Sequence, residues 1–526
     1  MPRLNCLAIV FAFFVLCLHL GAAPLYVATN GPSTPPYDTW AKASSNIEWA
    51  VNAGTNGDTV WISNGVYVLT NQITVISNIT ISGIETGAKP VVDGNNAGRC
   101  FEFTSAATGT LANLTIIRGY TNGDGGGVYM RYCSVRDCIF SNNIATNRGG
   151  GLMLVGGTNI VQRCTFIENK AKNGGGVYLV NTLNSLIDDC SFQTNIAFDS
   201  GGGMYGYDTS QSYTIITNCD FMCNVATNTG GGLYVSYMPS VNGANIISHC
   251  TFLNNIAVTS DGGGMWLRYD CLVSNCYVSN NIAAKSGGGI QMTRVTIKNS
   301  IIARNTSQNQ AALNQGGGGI HMNSGLVQDC IIEENTAGTY AGGVYFAGGT
   351  LRNCLIRNNV VSDGINPAGG GMRVFTTSAD IQSCTIVSNY AKWGGGGIHN
   401  SLGATYTARV DNCIIYFNKS TDRPAASNLY DQSASSSYSN CCVAGFGEAA
   451  AVVTAACITA EPQCVDWTNG NYRLSRNSRC VNAGVYREWM NGSVDLDGHT
   501  RIDKFSGIID IGCYEYLTSG TMFGFH

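Results

Sequence analysis

His321, Tyr345, Arg373 and His399 fall at one position of successive repeats, two residues beyond the last glycine of a glycine run. A guanidinium that holds a uronate carboxylate, beside a His or Tyr that takes a proton, is what a polysaccharide lyase needs. Upstream, the same position holds Tyr129, Met153, Tyr178, Tyr205, Tyr234, Trp266 and Gln291. An exposed aromatic line suits the apolar CH faces of sugar rings, which makes Tyr129, Tyr178, Tyr205, Tyr234 and Trp266 candidate glycan contacts. Tyr favours strands in any case, so stacking that stabilises an open sheet is the competing reading of the same column.

Other chemistry-bearing residues read as structure. Glu333 and Glu334 face Arg357 and Arg304 of neighbouring repeats as solvated ion pairs. Asp495-Leu496-Asp497-Gly498 opens like a calcium loop but lacks the later ligands, so it reads as a turn, and no cofactor is expected. The glycine runs precede aliphatic residues, never Lys-Ser or Lys-Thr, which argues against a phosphate loop. Cysteines recur once per repeat with no CxxC pair to build a compact tetrahedral metal site.

These positions are set by the motif V/I-x-x-Cys-x-Phe/Ile-x-x-Asn-x-Ala followed by glycines. Its anchors are Cys138, Cys164, Cys190, Cys219, Cys250, Cys276, Ser300, Cys330, Cys354, Cys384 and Cys413, with Asn five residues on each time, from Asn143 to Asn418. A spacing of roughly 24 to 31 residues belongs to stacked-repeat architectures. The apolar patches are too short, and too broken by Gly, Asn and Ser, for helices. They are strands, in which Cys and the Phe or Ile two residues on share the inward face. After each glycine run comes a further strand with its middle residue facing out. The fold expected is all-β, a right-handed parallel β-helix, its hand following the rule for parallel crossovers. Each Asn stacks amide to amide at a turn where Asn tolerates left-handed geometry, and the glycines supply positive-φ corners.

Twelve per cent charged residues and a net charge of −4 fit neither a nucleic-acid binder nor an acidic disordered tail. Of the 22 cysteines, the ten of the inward ladder read as small, buried, mostly reduced filler, with pairing between neighbouring rungs as the alternative. Residues 1–23, with Arg3, an apolar run from Leu7 to Leu18 and Gly21-Ala22-Ala23, form a signal peptide or else an uncleaved anchor. No later segment is long and apolar enough to span a bilayer, so a secreted or cell-surface location follows. Residues 24–120 hold a cap helix at Ser44–Ala53 and the first coils; 121–420 hold about 11 repeat coils; 421–526 hold the last coils and a closing module. Insertions at 206–213, 236–245, 306–315 and 361–368 are the places for specificity, with Tyr207, Tyr213 and Tyr237 as groove walls.

Gly57-Asp58-Thr59-Val60-Trp61-Ile62-Ser63-Asn64-Gly65-Val66-Tyr67 resembles the opening coil of pectin-lyase-like bacterial β-helix proteins. The Phe-x-x-Asn and glycine-run repeats resemble those of polymorphic outer-membrane proteins, a class of bacterial surface adhesins. Asp495-Leu496-Asp497-Gly498-His499-Thr500-Arg501 and Asp510-Ile511-Gly512-Cys513-Tyr514-Glu515-Tyr516 are similar to the closing module of choice-of-anchor surface proteins, as are Tyr472-Arg473-Leu474 and Arg479 to Gly484. The chain departs from the adhesins in lacking alternating membrane strands after the last repeat. It departs from the anchored proteins in having only Leu517–His526 beyond the closing motif. These resemblances specify fold and surface location far better than activity; the leading expectation is an exported, non-catalytic protein that offers a polysaccharide or cell-surface partner its sheet face and loops. A lyase or glycoside hydrolase acting at the His321–His399 end is the rival expectation, and a purely structural spacer the third.

Overall fold

The computed structural model describes residues 22–104, 107–208, 213–237, 244–309, 315–376, 378–400, 407–433, 435–446, 453–502 and 507–517. Residues 1–21, the tips of the first three insertions, the Tyr237 side chain and the tail 518–526 lie outside the described residues. The chain winds into a right-handed solenoid of about 13 turns. Successive coils pair in parallel in three sheets of 28, 15 and 12 strands, here termed the broad, cysteine and asparagine sheets. The broad sheet takes two strands from most coils, the one after the glycine run and the one before the Cys. At Met265–Ser274, Ile290–Lys298 and Ile320–Gln328 the two fuse into one.

Strand alternation fixes what lies inside. Val135, Cys138 and Phe140, and their equivalents in later coils, are buried in one continuous core. The rings of Phe140, Phe166, Phe192, Phe221 and Phe252 stack 4.5–5.0 Å apart within it. Each ladder thiol donates to the carbonyl two residues back, as Cys138 does to Arg136 (3.2 Å) and Cys164 to Gln162 (3.2 Å). Ser300, in the Cys position, makes the same bond with its hydroxyl to Lys298 O at 2.7 Å.

The Asn ladder forms as expected, but its corner lies one residue earlier. Positive φ belongs to Asn142, Glu168 and Thr194, not to Asn143, Asn169 and Asn195. A left-handed corner residue turns its side chain toward solvent, whereas the ladder amide has to point inward to reach the next coil. The first glycine of most runs does take positive φ, as at Gly174 (64°). The second is excluded from bearing a side chain by close approach: a Cβ on Gly175 would lie 2.5 Å from Gly202 O.

At the N-terminal end, helix α1 (Ile47–Ala53) buries Ile47, Ala50 and Val51, and the Asn46 side chain caps it by accepting from Glu48 N at 2.7 Å. At the other end the chain leaves the last rung and runs back along the outside of the cysteine sheet. There Tyr472, Leu474, Cys480, Ile511, Cys513 and Tyr514 pack on Leu355, Val387, Ile414 and Cys442. Asn412 clamps this lateral segment from both directions, donating to Val485 O (2.7 Å) and accepting from Val485 N (2.8 Å). The closing motif therefore covers a flank of the solenoid.

Candidate functional site

The outward column of the broad sheet divides into two halves. In the N-terminal half, Tyr178, Tyr205, Tyr234 and Trp266 stack with centroids 4.3–4.8 Å apart and planes within 11°. Parallel pairing places these residues directly over one another, Tyr178 on Tyr205, Tyr205 on Tyr234 and Tyr234 on Trp266. Rings this close occupy one another's faces, so the column turns edges and hydroxyls outward. Tyr129, Tyr205, Tyr234 and Trp266 are half-buried and Tyr178 more deeply set. Burial pushes the Tyr178, Tyr205 and Tyr234 phenols up, which keeps them protonated donors.

Arginines line this half. Arg131 donates to the Tyr129 hydroxyl at 3.1 Å. The guanidiniums of Arg99, Arg148 and Arg268 lie 5.4–5.5 Å from the Tyr129, Tyr178 and Trp266 rings. The sequence reading missed these cations. Arg131 and Arg268 carried a signal, each standing two residues beyond a column aromatic and so on the same face.

The C-terminal half corrects the expectation that the column faces open solvent throughout. Gln291, His321, Tyr345, Arg373 and His399 are all buried, Tyr345 and His399 at 1% exposure. Single parallel bridges from Tyr340 to Ala368 and from Ala368 to Gly394 build a wall beside the column. Tyr340, Phe375 and Trp393 close over it. The wall comes from the turns between the asparagine sheet and the glycine runs, including the end of the 361–368 insertion.

The structure does bring the four lyase candidates together on successive rungs: His321 beside Tyr345, Tyr345 beside Arg373, Arg373 beside His399. The His321 ring stacks on Tyr345 at 4.6 Å, with Nδ1 3.3 Å from Gly316 O and Nε2 3.2 Å from Asn323 Oδ1, of which the neutral ring donates to one. The Arg373 guanidinium lies 3.4 Å from the centre of the Tyr340 ring. His399 stacks on Tyr430 at 5.0 Å, a rung the repeat pattern did not reveal. Neither nitrogen of His399 has a hydrogen-bond partner among the described residues. Burial, with Arg373 and Arg423 nearby, holds it well below the ordinary imidazole range; burial also lowers His321. A weakly basic, enclosed imidazole between two cations is poorly arranged to remove a proton from a polymer.

Two smaller features lie away from the column. Arg357 pairs with Glu333 and Arg304 with Glu334, each guanidinium Nε 2.7 Å from the carboxylate. Asp495, Asp497 and His499 bring donor atoms within 4.8 Å of one another. Their oxygens are engaged: Asp495 Oδ1 accepts from the backbone of Asp497 and His499, and Arg473 forks onto Asp497. Of the groove walls, Tyr207 is exposed and Tyr213 half-buried.

Several solved structures show likeness to this chain. One is the pectate lyase Pel9A, 15% identical over 94% of this chain and 97% of that one, with a TM-score of 0.24. XylC in complex with xylose is 10% identical over 94% and 99%, with a TM-score of 0.33. The catalytic domain of a GH87 α-1,3-glucanase with nigerose is 13% identical over 79% and 67%, with a TM-score of 0.29. At such values they bear on neither substrate nor mechanism. No curated protein matches the chain. The family model of the right-handed β-helix region matches residues 52–271 and 241–418. With its coils spanning that same stretch, the chain belongs to the right-handed β-helix family.

Proposed function

We propose that this chain is an exported, non-catalytic binding solenoid that takes an extended polysaccharide along the outer face of its broad sheet, between Tyr129 and Trp266. The reading rests on one observation: a row of phenol hydroxyls and ring edges at rung spacing, flanked by Arg131, Arg148 and Arg268, on a half-open sheet face. Rungs about 4.8 Å apart repeat closely enough to meet successive sugars of a chain lying along the solenoid axis. Contacts made by hydroxyls and guanidiniums favour hydroxyl-rich or acidic polymers. The ring faces are already spent on one another.

The test is retention of the purified protein on plant, algal and bacterial polysaccharides, by affinity electrophoresis, with release of unsaturated or reducing ends followed in parallel. Retention that weakens in Tyr205→Phe and Tyr234→Phe, which keep the stack and remove the hydroxyls, supports the reading. Retention unchanged in both variants, or absent from every polymer, overturns it. New chain ends that disappear in Arg373→Ala would put a lyase or hydrolase in its place.

A further inference from the structure

A groove of about 370 Å³ lies on the broad sheet apart from the aromatic column, along the bend between the two strands that each of four successive coils gives to that sheet. One wall is the row Thr80, Thr110, Ser134 and Ile160, which parallel pairing places directly over one another. The other is the row two residues earlier, Asn78, Thr108, Tyr132 and Thr158, all exposed. None of the described residues lining the groove is acidic or basic. Among the described residues the hydroxyls of Thr80, Thr110 and Ser134 have no partner, so they remain free to donate and to accept.

Tyr132 differs from the column tyrosines in what its ring touches. Tyr178, Tyr205 and Tyr234 stack on one another, whereas Tyr132 meets no other ring among the described residues and is 51% exposed. Its ring rests instead on the backbone of the next coil. A Cβ on Gly157 would collide with Cδ1 and Cε1 of the ring, and one on Gly156 would lie 3.6–3.9 Å from its hydroxyl, Cζ and Cε2. Contact at both edges lays the ring across the glycine pair, and its opposite face looks toward the preceding coil, where the groove opens above Thr108 and Thr110. Buried Asn159 clamps this support: its amide donates to Gly156 O at 2.7 Å and to Gly157 O at 3.0 Å, and its Oδ1 accepts from Cys133 N at 3.2 Å. The clamp maintains a φ of 50° at Tyr132, left-handed backbone that a bulky residue rarely takes.

We propose that this groove is a second binding site, for a neutral sugar unit that stacks on Tyr132 and is held by the hydroxyl row. A pyranose presents an apolar CH face to an aromatic ring and carries hydroxyls around its rim. The open face of Tyr132 answers the first, and Thr80, Thr110 and Ser134, each both donor and acceptor, answer the second. A carboxylated or sulfated unit would enter without a counter-charge, because the cations of this sheet, Arg131, Arg148 and Arg268, line the column and not the groove. The volume lies at the lower end of the range for small-molecule sites, which suits a short terminal unit better than a threaded polymer. The site shares no residue with the Tyr129–Trp266 column and does not depend on the column binding a polysaccharide.

The test is saturation-transfer-difference NMR of the full chain with the methyl glycosides of glucose, galactose, mannose and fucose, and with galacturonic acid as the charged comparison. The expected result is transfer to the ring CH protons of at least one neutral glycoside, with little to galacturonic acid. Tyr132→Ala should weaken that binding about tenfold and Tyr132→Trp should keep it. Thr110→Val, which leaves the ring and its glycine support in place, should also weaken it, and so separates lost contacts from a disturbed fold. Tyr205→Phe and Tyr234→Phe should leave it unchanged, whatever they do to polymer retention. Absence of transfer to every neutral glycoside overturns the proposal. So does transfer that survives both Tyr132→Ala and Thr110→Val, or transfer stronger to galacturonic acid than to any neutral sugar.

Discussion

Asn169 Oδ1 accepts twice from Asn143, from its backbone N–H at 3.1 Å and from its side-chain amide at 2.9 Å. The Asn169 amide in turn donates to Phe140 O at 2.9 Å and to Asn195 Oδ1 at 3.0 Å. One side chain thus satisfies backbone groups that the corner would leave orphaned, in coil after coil. Replacing Asn255 by Ala strips partners from Asn224 N, Asn224 Nδ2 and Phe221 O at once. Each buried group left unpaired costs about 1 to 3 kcal/mol. We expect Asn255→Ala to lower the denaturant midpoint sharply, with faster amide exchange in the coils on either side.

The inner and outer aromatic stacks make a second comparison. Phe192 is fully enclosed between Phe166 and Phe221, whereas Tyr205 stacks equally closely but is half-buried. Truncating a buried Phe to Ala costs about 3 to 5 kcal/mol, through lost transfer energy and an unfilled cavity. An outer ring leaves no enclosed cavity, and its cross-strand pair contributes about 1 kcal/mol. Urea titration of Phe192→Ala and Tyr205→Ala should separate the two by a wide margin. Equal losses would show that the outer stack is as essential to the fold as the core.

Acid sensitivity follows from the buried histidines. His321 and His399 have folded values below the unfolded value of about 6.5. The unfolded chain therefore binds more protons once the pH drops below about 6.5, and stability falls from there toward the folded values. Each such group sets a slope of up to about 1.4 kcal/mol per pH unit within that window. Above it neither contributes. The midpoint difference between wild type and His399→Phe, which keeps the stack on Tyr430, should be constant from pH 8 to 7 and shift in favour of the variant from pH 6 to 5.

What was legible in the sequence was whatever a two-residue alternation enforces. Cys138 and Phe140 had to share a face, and the glycine run marked one corner, while the corner expected at Asn143 falls on Asn142. The enclosure of Tyr345 and His399 was not legible, because the wall of Tyr340, Ala368 and Trp393 arises from bridges between turns of different coils, with no period to read. The fold-back of the lateral segment did leave a trace. Leu355, Ile414 and Cys442 are apolar at the position after the anchor, where earlier coils carry Thr165, Ser191 and Asp220. A strand apolar on both faces is one covered on both sides. The ring edges turned outward in the Tyr178–Trp266 stack depend on rotamer and rung distance, which residue type alone does not convey.

That trace yields the last prediction. Ile511 is fully buried in the lateral cluster, where its N–H holds Cys480 O and its side chain faces the apolar flank of the cysteine sheet. A carboxylate placed there has to be desolvated against Leu355, Val387 and Ile414, which penalises docking of the segment far more than it penalises the coils. The solenoid's ladders run through residues the segment does not supply, so they persist when it lifts. Ile511→Asp should therefore be cleaved by a dilute protease between residues 458 and 517 while a core up to the last rung resists. The freed flank should bind a hydrophobic dye, since Leu355, Val387, Ile414 and Cys442 then form a contiguous apolar strip. Degradation of the whole chain at one rate would instead show that the segment and the coils unfold as a single cooperative unit.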